Sequence, residues 1–470
     1  MKQLLTALLL LFFIAVEAQQ SFTLEEAINF ALENNRTAIN AVRDIEAAKK
    51  QKWETTAIGL PQINAAIDYQ NYLKQPVSLL PAAAFDNTQS VIDVVNDYFD
   101  ANQTNFNVNT PEGFIPLRFG TKQNVNATAT LSQLLFDGSY LVGLQSAKVF
   151  LEISKNAKIK TDLEVRKQVI NAYGNVLLAE KSIDILENNK SNLEKNVFEI
   201  QKTYENGLAE EETVEQLKIT LSSIESSLSN NKRLREIAYK MLNMALGLDI
   251  NVQLNLKDDL DSLTEKNIVT GLVESPFIID NNIDFKIAKN DERSKQLLFK
   301  YEKTKSLPTL TAFLNGGYQG NSDTFTFLDS EQQWFGFSIV GVSLNVPIFS
   351  SLGRSAKTQR AKIEFEKAKT MLTETEQRIK LQLQNAQSNY QFVVEQYYTA
   401  KENLALAERI ENKNQIKFTE GIASSFDLRQ AQTQLYSSQQ EYLQAMLNVI
   451  NQKAELESIL NSDDLINSTN

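Results

Sequence analysis

The chain has 470 residues, a formal net charge of −11, and neither cysteine nor histidine. It therefore cannot form disulfides or use thiol chemistry, and it lacks the commonest general base and transition-metal ligand. The negative charge argues against a nucleic-acid partner. The sequence contains no nucleophile and base pair, phosphate-binding loop or metal-ligand spacing, so we expect no enzyme activity and no cofactor.

The first 18 residues (1–18) have the pattern of a secretory signal peptide. Lys2 supplies a positive charge, Leu4–Val16 an apolar segment, and Val16-Glu17-Ala18 a cleavage site. A membrane anchor is the competing interpretation, but the apolar run is shorter than the roughly 20 residues that span a bilayer. The sequence thus predicts an exported protein.

The remainder of the chain repeats itself. The segments NNRTAINAVRDIEAAKKQKWETTAIGLPQI (34–63) and NNIDFKIAKNDERSKQLLFKYEKTKSLPTL (281–310) both begin with Asn-Asn and end at Leu-Pro. YENGLA (204–209) is likewise echoed by FTEGIA (418–423). This duplication predicts a first structural repeat at 19–247, a collar segment at 248–280, a second repeat at 281–461, and a C-terminal tail at 462–470.

Each repeat contains long stretches whose apolar residues alternate at spacings of four and three. In the second repeat, Glu411 and Asn414 replace Val197 and Ile200 of the first. A period of 3.5 residues predicts antiparallel coiled-coil packing, and a plain coiled-coil rod is the alternative that the helices alone would favour. The predicted helices are 22–57, 138–206, 208–247, 351–420 and 422–461, with a further helix between 281 and 306.

Each repeat also contains two segments in which apolar and polar residues alternate. We predict strands at about 60–72, 123–136, 308–319 and 334–347, the last of them apolar on both sides. Their length and single apolar face suit tilted transmembrane strands, and an ordinary soluble sheet is the alternative. Four strands cannot close a barrel, and lipid does not tolerate open sheet edges, so strands in a membrane would require several chains to share one barrel.

The segments that connect the helices and strands also contain recognisable sequence patterns. The linker 73–121 is predicted to be an extracellular loop with a short helix at 88–99, and the segment 248–280 to be a small mixed collar. Gly207 and Gly421 are expected to adopt positive φ at tight interhelical turns. Five residues mark the helix–strand transitions: Leu60, Pro61, Leu307, Pro308 and Pro347.

This order of elements resembles the TolC-type outer membrane efflux proteins, also called outer membrane factors. The resemblance covers about 21–461. It rests on SFTLEEAINFALENN (21–35), LPQI (60–63), LLFDGS (134–139), LPTL (307–310), VPIFSSLGRSA (346–356) and FTEGIASSFDLRQAQ (418–432).

The resemblance implies a mainly α fold with a transmembrane β part. Each chain of a homotrimer would give four strands to a 12-stranded barrel in the outer-membrane lipid, and its helices would form a long periplasmic coiled-coil tunnel. The protein would be a passive exit duct of a tripartite efflux or type I secretion system, served by a periplasmic adaptor and an inner-membrane pump. Its cargo would be drugs, metals, small toxic compounds or polypeptides. A secreted coiled-coil structural or adhesive protein is the alternative function.

The resemblance also implies functional residues at the interhelical turns. Asp427 matches an acidic residue of the family's tunnel entrance, whereas a second family aspartate falls on Gln430 and a gate arginine on Ala423. Asp427 could equally be a solvated helix-surface carboxylate. The turn residues expected to dock the adaptor are Gly207, Leu208, Gly421 and Ile422. An acidic cluster near the first turn either replaces the lost gate charge or complements a helix dipole, and it comprises Glu210, Glu211, Glu212 and Glu215.

Overall fold

The computed structural model describes residues 20–85, 87–99, 112–269, 271–274 and 276–460. The predicted signal peptide and the predicted C-terminal tail lie outside the described residues. The described chain divides into two compact units. The helical unit comprises 20–53, 143–303 and 355–460, and the sheet unit comprises 54–142 and 304–354. The predicted class, mainly α with a β part, is confirmed.

Helices account for most of the described residues. The α-helices are α1 (Leu24–Asn34), α2 (Arg36–Ala57), α3 (Thr88–Phe99), α4 (Gly138–Glu205), α5 (Glu211–Leu246), α6 (Leu260–Asn267), α7 (Ile283–Thr304), α8 (Gly353–Thr419) and α9 (Ser425–Leu460). None of them, within the described ranges, combines the length and apolarity needed to cross a membrane.

The strands form three small sheets. They are β1 (Gln20–Phe22), β2 (Gln62–Asn71), β3 (Ser78–Pro81), β4 (Phe114–Leu117), β5 (Gln123–Asp137), β6 (Leu254–Leu256), β7 (Thr309–Ser322) and β8 (Trp334–Asn345). The largest sheet has four antiparallel strands in the order β2-β5-β7-β8. Strands β2 and β8 are its edges, and each pairs on one side only.

The register of the four-stranded sheet separates its residues into an apolar face and a polar face. Residues paired across strands share a face. The central row of the apolar face is Ile63, Leu131, Leu314 and Val340. The adjacent row, on the polar face, is Asn64, Thr130, Asn315 and Ile339. The face that is polar in β2, β5 and β7 is apolar in β8, where it carries Phe335, Phe337 and Ile339.

One end of the apolar face carries a cluster of aromatic rings. Tyr69 of β2 lies 5.9 Å from Phe325 and 6.0 Å from Phe327, measured between ring centroids. Phe327 is buried and lies 6.4 Å from Trp334 of β8. The connection between β7 and β8 therefore buries Phe327 against the sheet, whereas Phe325 joins the ring cluster and stays 59% exposed.

The core of the helical unit joins both repeats to the collar. Its buried residues come from α1, α2, α4, α5, α6, α8 and α9 and from β6. Tyr173 of α4 is fully buried, and its hydroxyl donates to the carbonyl of Phe22 at 2.9 Å and to Asp258 at 3.0 Å. The same Asp258 carboxylate accepts from the Leu24 amide at 2.8 Å. These bonds explain why β1 pairs with β6, a small parallel ladder that the sequence did not predict.

The repeated Asn-Asn sequence has a structural role in both halves. Asn35 is buried, donates to the carbonyl of Ala245 at 2.8 Å, and accepts from the Thr37 amide at 2.8 Å. Asn282 repeats this arrangement, donating to the carbonyl of Ile459 at 2.9 Å. Each asparagine caps the start of a helix and satisfies a carbonyl near the end of a return helix. The predicted helix 22–57 is consequently two helices, because Asn35 interrupts it in an extended conformation.

Several element bounds differ from those expected. The return helices begin at Glu211 and Ser425 because residues 206–210 and 420–424 are taken up by the turns. Strand β8 ends at Asn345, before Pro347, since proline has no amide to continue a ladder. The linker 73–121 contains α3 at the expected place, together with an antiparallel pair of short strands, β3 and β4, that the sequence did not indicate.

Candidate functional site at the interhelical turns

The two interhelical turns have the same backbone geometry. The Gly207 amide donates to the Tyr204 carbonyl at 2.8 Å, and the Leu208 amide donates to the Thr203 carbonyl at 3.0 Å. At the second turn, Gly421 and Ile422 repeat both bonds at 3.0 and 2.8 Å. Both glycines have positive φ, 74° and 72°. This is the Schellman arrangement, in which glycine is preferred because other residues are strained at positive φ.

Each turn presents a large apolar side chain to solvent. Leu208 is 81% exposed and Ile422 is 76% exposed. They occupy equivalent positions, immediately after the glycine, so the duplication extends to this exposed pair. A Cβ added to either glycine would meet nothing within 4 Å. The turns are therefore open surfaces rather than packed interiors.

Asp427 belongs to the N-terminal cap of α9. Its carboxylate accepts from the Ser424 hydroxyl at 2.7 Å and from the Ser424 amide at 3.1 Å. The Asp427 amide donates back to the Ser424 hydroxyl at 3.2 Å. These hydrogen bonds hold the pKa of Asp427 below its usual range. The sequence carries the signal for this reciprocal cap, a serine three positions before an acid.

The cap does not remove Asp427 from solvent. Its side chain is exposed, and Gln430, one turn further along α9, is exposed as well. Gln430 lines a groove of about 760 Å³ between α8 and α9, with Leu406, Ile410 and Phe426. The guanidinium of Arg429 lies 5.6 Å from the Phe426 ring centroid. An ionised carboxylate, an amide and an aromatic side chain therefore lie together just past the second turn.

The acidic cluster lies at the start of α5. Glu210 is the N-cap residue but makes no side-chain cap bond, and Glu211 and Glu212 form the first helical turn. Glu212 accepts from the Gln216 amide at 2.8 Å. These positions are compatible with both interpretations of the acidic cluster, as gate charge and as complement to the helix dipole. A helix N-terminus stabilises carboxylates whether or not they also belong to a gate.

The predicted helix–strand transitions lie in the sheet unit. The Leu60 amide donates to the Ala57 carbonyl at 3.0 Å and the Leu307 amide to the Thr304 carbonyl at 2.9 Å, closing each helix. Pro61 and Pro308 then directly precede β2 and β7. Pro347 follows β8, and its carbonyl accepts from Arg354 at 2.9 Å. These residues end one element and begin the next, which is an architectural role.

A family model and solved structures match the chain. The model of the family described as outer membrane efflux protein matches residues 278–462. No match was found among curated protein sequences. The structure of CusC has a TM-score of 0.71 and 16% identity, covering 94% of this chain and 92% of its own.

Two further structures cover almost as much. The outer membrane protein VceC of Vibrio cholerae has a TM-score of 0.68 and 14% identity, covering 93% of this chain and 96% of its own. The CmeC outer membrane channel of Campylobacter jejuni has a TM-score of 0.68 and 16% identity, covering 93% and 85%. Structures this divergent show a common fold, and the family model matches the second repeat. Residues 278–462 are therefore similar to the outer membrane efflux protein family, and the described chain shares the fold of these solved structures.

Proposed function

We propose that this protein is the outer-membrane exit duct of a tripartite efflux or type I secretion system, in which three copies share one 12-stranded barrel. The observation that carries this proposal is the four-stranded sheet, which has one apolar face, one mainly polar face and two open edges. The match of residues 278–462 to the outer membrane efflux protein family supports an outer-membrane channel rather than an enzyme.

The edges of the sheet favour closure by neighbouring copies. Every residue of β2 is exposed, as are all but one of β8. Because the four strands are antiparallel in sequence, β2 and β8 run in opposite directions. Strand β8 of one copy can therefore pair antiparallel with β2 of the next, and a ring of copies satisfies every backbone group, as a lipid environment requires.

The apolar face has the height of a membrane. From Trp334 to Leu344 of β8 the rise is about 33 Å along the strand. At the tilt usual in such barrels this is about 25 Å along the barrel axis, the height of their apolar band. The aromatic cluster of Tyr69, Phe327 and Trp334 lies at one boundary of this band, where barrels carry an aromatic girdle.

The proposed partner proteins are inferred from the two interhelical turns. Leu208 and Ile422 are exposed apolar residues on equivalent turns, which suits docking of a periplasmic adaptor protein. Energy would come from an inner-membrane pump, and the duct itself would be passive. The cargo would be drugs, metals, small toxic compounds or secreted polypeptides.

A secreted coiled-coil structural protein is the competing function, and membrane fractionation separates the two. We expect the protein in the outer-membrane fraction, migrating as a trimer in unheated detergent and as a monomer after boiling. The open-edged apolar sheet supports this result, since a soluble rod would have no lipid to cover it. Recovery of the protein as a secreted, lipid-free oligomer would contradict the duct proposal.

Asp427 is proposed to contribute to the channel entrance. Three ionised carboxylates around a narrow axis would attract cations, so Asp427→Asn should weaken block by multivalent cations several-fold in planar bilayers. Ser424→Ala is the matched control, because it removes the cap contact and leaves the charge. Equal block in wild type and Asp427→Asn would assign Asp427 to helix capping alone.

A further inference from the structure

Strand β8 carries an apolar strip on the face that is mainly polar in the other strands of the sheet. Phe335, Phe337 and Ile339 follow one another on this face and are 58%, 38% and 54% exposed in the single chain. Phe313 of β7 extends the strip, because it pairs with Gly341 and its ring lies 2.6 Å from where a Cβ of Gly341 would be. The apolar strip, defined as Phe313, Phe335, Phe337 and Ile339, is about 20 Å long.

The neighbouring strand leaves the middle of the strip open. Phe337 pairs with Gly317 of β7, which has no side chain to cover the ring. A Cβ added to Gly317 would collide with the backbone oxygen of Ala127 in β5, and backbone cannot move aside as a flexible side chain can. The pairing of β5 with β7 therefore requires glycine here, and the exposure of Phe337 is a consequence of that pairing.

In the proposed barrel the apolar strip would face the lumen rather than lipid. It shares its face with the side chains of Asn64, Thr130 and Asn315, whereas the lipid-facing side is the apolar face that contains Val340. A barrel of about eight strands is just filled by its interior side chains, so the wider 12-stranded barrel would keep water between opposite walls. Three strips, one from each copy, would thus be open to whatever passes through the lumen.

The charge on the same face favours cations among apolar occupants. In the four strands, the charged residues of this face are Asp68 and Asp137. Asp137 caps α4, accepting from the amide and the hydroxyl of Ser139 at 2.7 Å each. Asp68 is exposed and belongs to the same row as Phe335. A lumen carboxylate repels anions, and the faces of phenylalanine rings attract cations.

We propose that the apolar strip is a binding surface for organic cations that carry an aromatic ring. The inference rests on the proposed duct and narrows the class of its cargo. The rings of Phe335 and Phe337 would contact both the apolar group and the charge of such a cation. Because β8 of one copy is proposed to pair with β2 of the next, the strand that carries Asp68 would also flank the strip.

Block of the potassium current in planar bilayers by three small probes tests the apolar strip. Benzyltrimethylammonium has a ring and a positive charge, tetraethylammonium has the charge without the ring, and benzenesulfonate has the ring with a negative charge. In wild type we expect benzyltrimethylammonium to block at several-fold lower concentration than either of the others. The comparison with tetraethylammonium isolates the ring, because the two cations have the same charge.

Variants of the strip locate the block. The double variant Phe335→Ser and Phe337→Ser should lose most of the preference for benzyltrimethylammonium over tetraethylammonium, with block normalised to its own potassium current. Gln319→Ser shortens a polar side chain in the row of Phe335 and is the matched control, so its block should equal that of wild type. Asp68→Asn leaves the rings in place and should reduce the difference between benzyltrimethylammonium and benzenesulfonate.

Saturation-transfer NMR of the purified trimer gives a second readout that does not require conduction. Transfer to the ring protons of benzyltrimethylammonium should be strong in wild type and Gln319→Ser and several-fold weaker in the double serine variant. Equal block by the two cations in wild type, or block and transfer unchanged in a trimeric double serine variant, would overturn the proposal. Ring transfer that depends on Phe335 and Phe337 without any potassium current would support the binding surface and contradict the duct, so the two failures are distinguishable.

Discussion

Val340→Arg should nearly abolish the outer-membrane trimer, whereas Ile339→Arg should leave it largely intact. Val340 lies on the apolar face, in the row with Ile63, Leu131 and Leu314, near the middle of the proposed membrane band. An arginine at the bilayer midplane costs about 2–4 kcal/mol, and the trimer would contain three of them. Ile339 belongs to the polar face, where a charged side chain would reach water.

The two positions are closely matched, so the comparison isolates the face of the sheet. Both residues are β-branched, adjacent in β8 and exposed in the single chain. The measurement is the amount of heat-modifiable trimer in the outer-membrane fraction, normalised to total expression. A trimer yield equal to wild type in both variants would show that neither face of β8 meets lipid, and loss in both would show that the two faces do not differ.

Gly247→Ala should destabilise the helical unit by about 2–5 kcal/mol. Gly247 caps α5 with φ 83°, where a Cβ is strained by roughly 1–2 kcal/mol. Its Cβ would also lie 2.2 Å from the backbone oxygen of Asn34 and 3.0 Å from the Cα of Asn35. Backbone cannot move aside as a flexible side chain can, so overpacking adds about 1–3 kcal/mol.

Gly207→Ala is the control for the conformational part of this effect. Gly207 has a similar φ of 74°, but a Cβ there meets nothing within 4 Å. Its cost should be limited to about 1–2 kcal/mol. Thermal unfolding followed by circular dichroism, with hydrogen exchange of residues 31–40, would measure both variants. If Gly247→Ala is no worse than Gly207→Ala, the close approach of Asn34 to Gly247 is not part of the native packing.

Periodicity in the sequence predicts the main helices and strands because each keeps one face in the same kind of surroundings along its whole length. The heptads of α4 and α8 extend over many turns, so a few polar substitutions do not hide them. The alternation in β2, β5 and β7 likewise follows from one apolar and one polar face. Strand β8 is ambiguous in the sequence because it is apolar on both sides, and only its pairing with β7 assigns Val340 to the apolar face and Ile339 to the polar face.

The features that were missed depend on contacts between residues distant in the chain. The β1–β6 ladder is held by Tyr173 and Asp258, which no local pattern connects. The break at Asn35 depends on the Ala245 carbonyl, although the repeated Asn-Asn was visible in the sequence. At the candidate site, Asp427 was identified by resemblance, but its bond to Ser424 was predictable from the capping spacing alone.

Single-channel recording of the purified, detergent-extracted protein in a planar bilayer tests the central claim, that copies of this chain close a conducting barrel. From a sample shown to be trimeric, we expect discrete, long-lived conductance steps with selectivity for cations. Three open-edged sheets closed into one barrel would leave a polar-lined pore, and exposed Asp427 carboxylates at its entrance would favour cations. The absence of conductance from trimeric wild type and trimeric Asp427→Asn alike would contradict it.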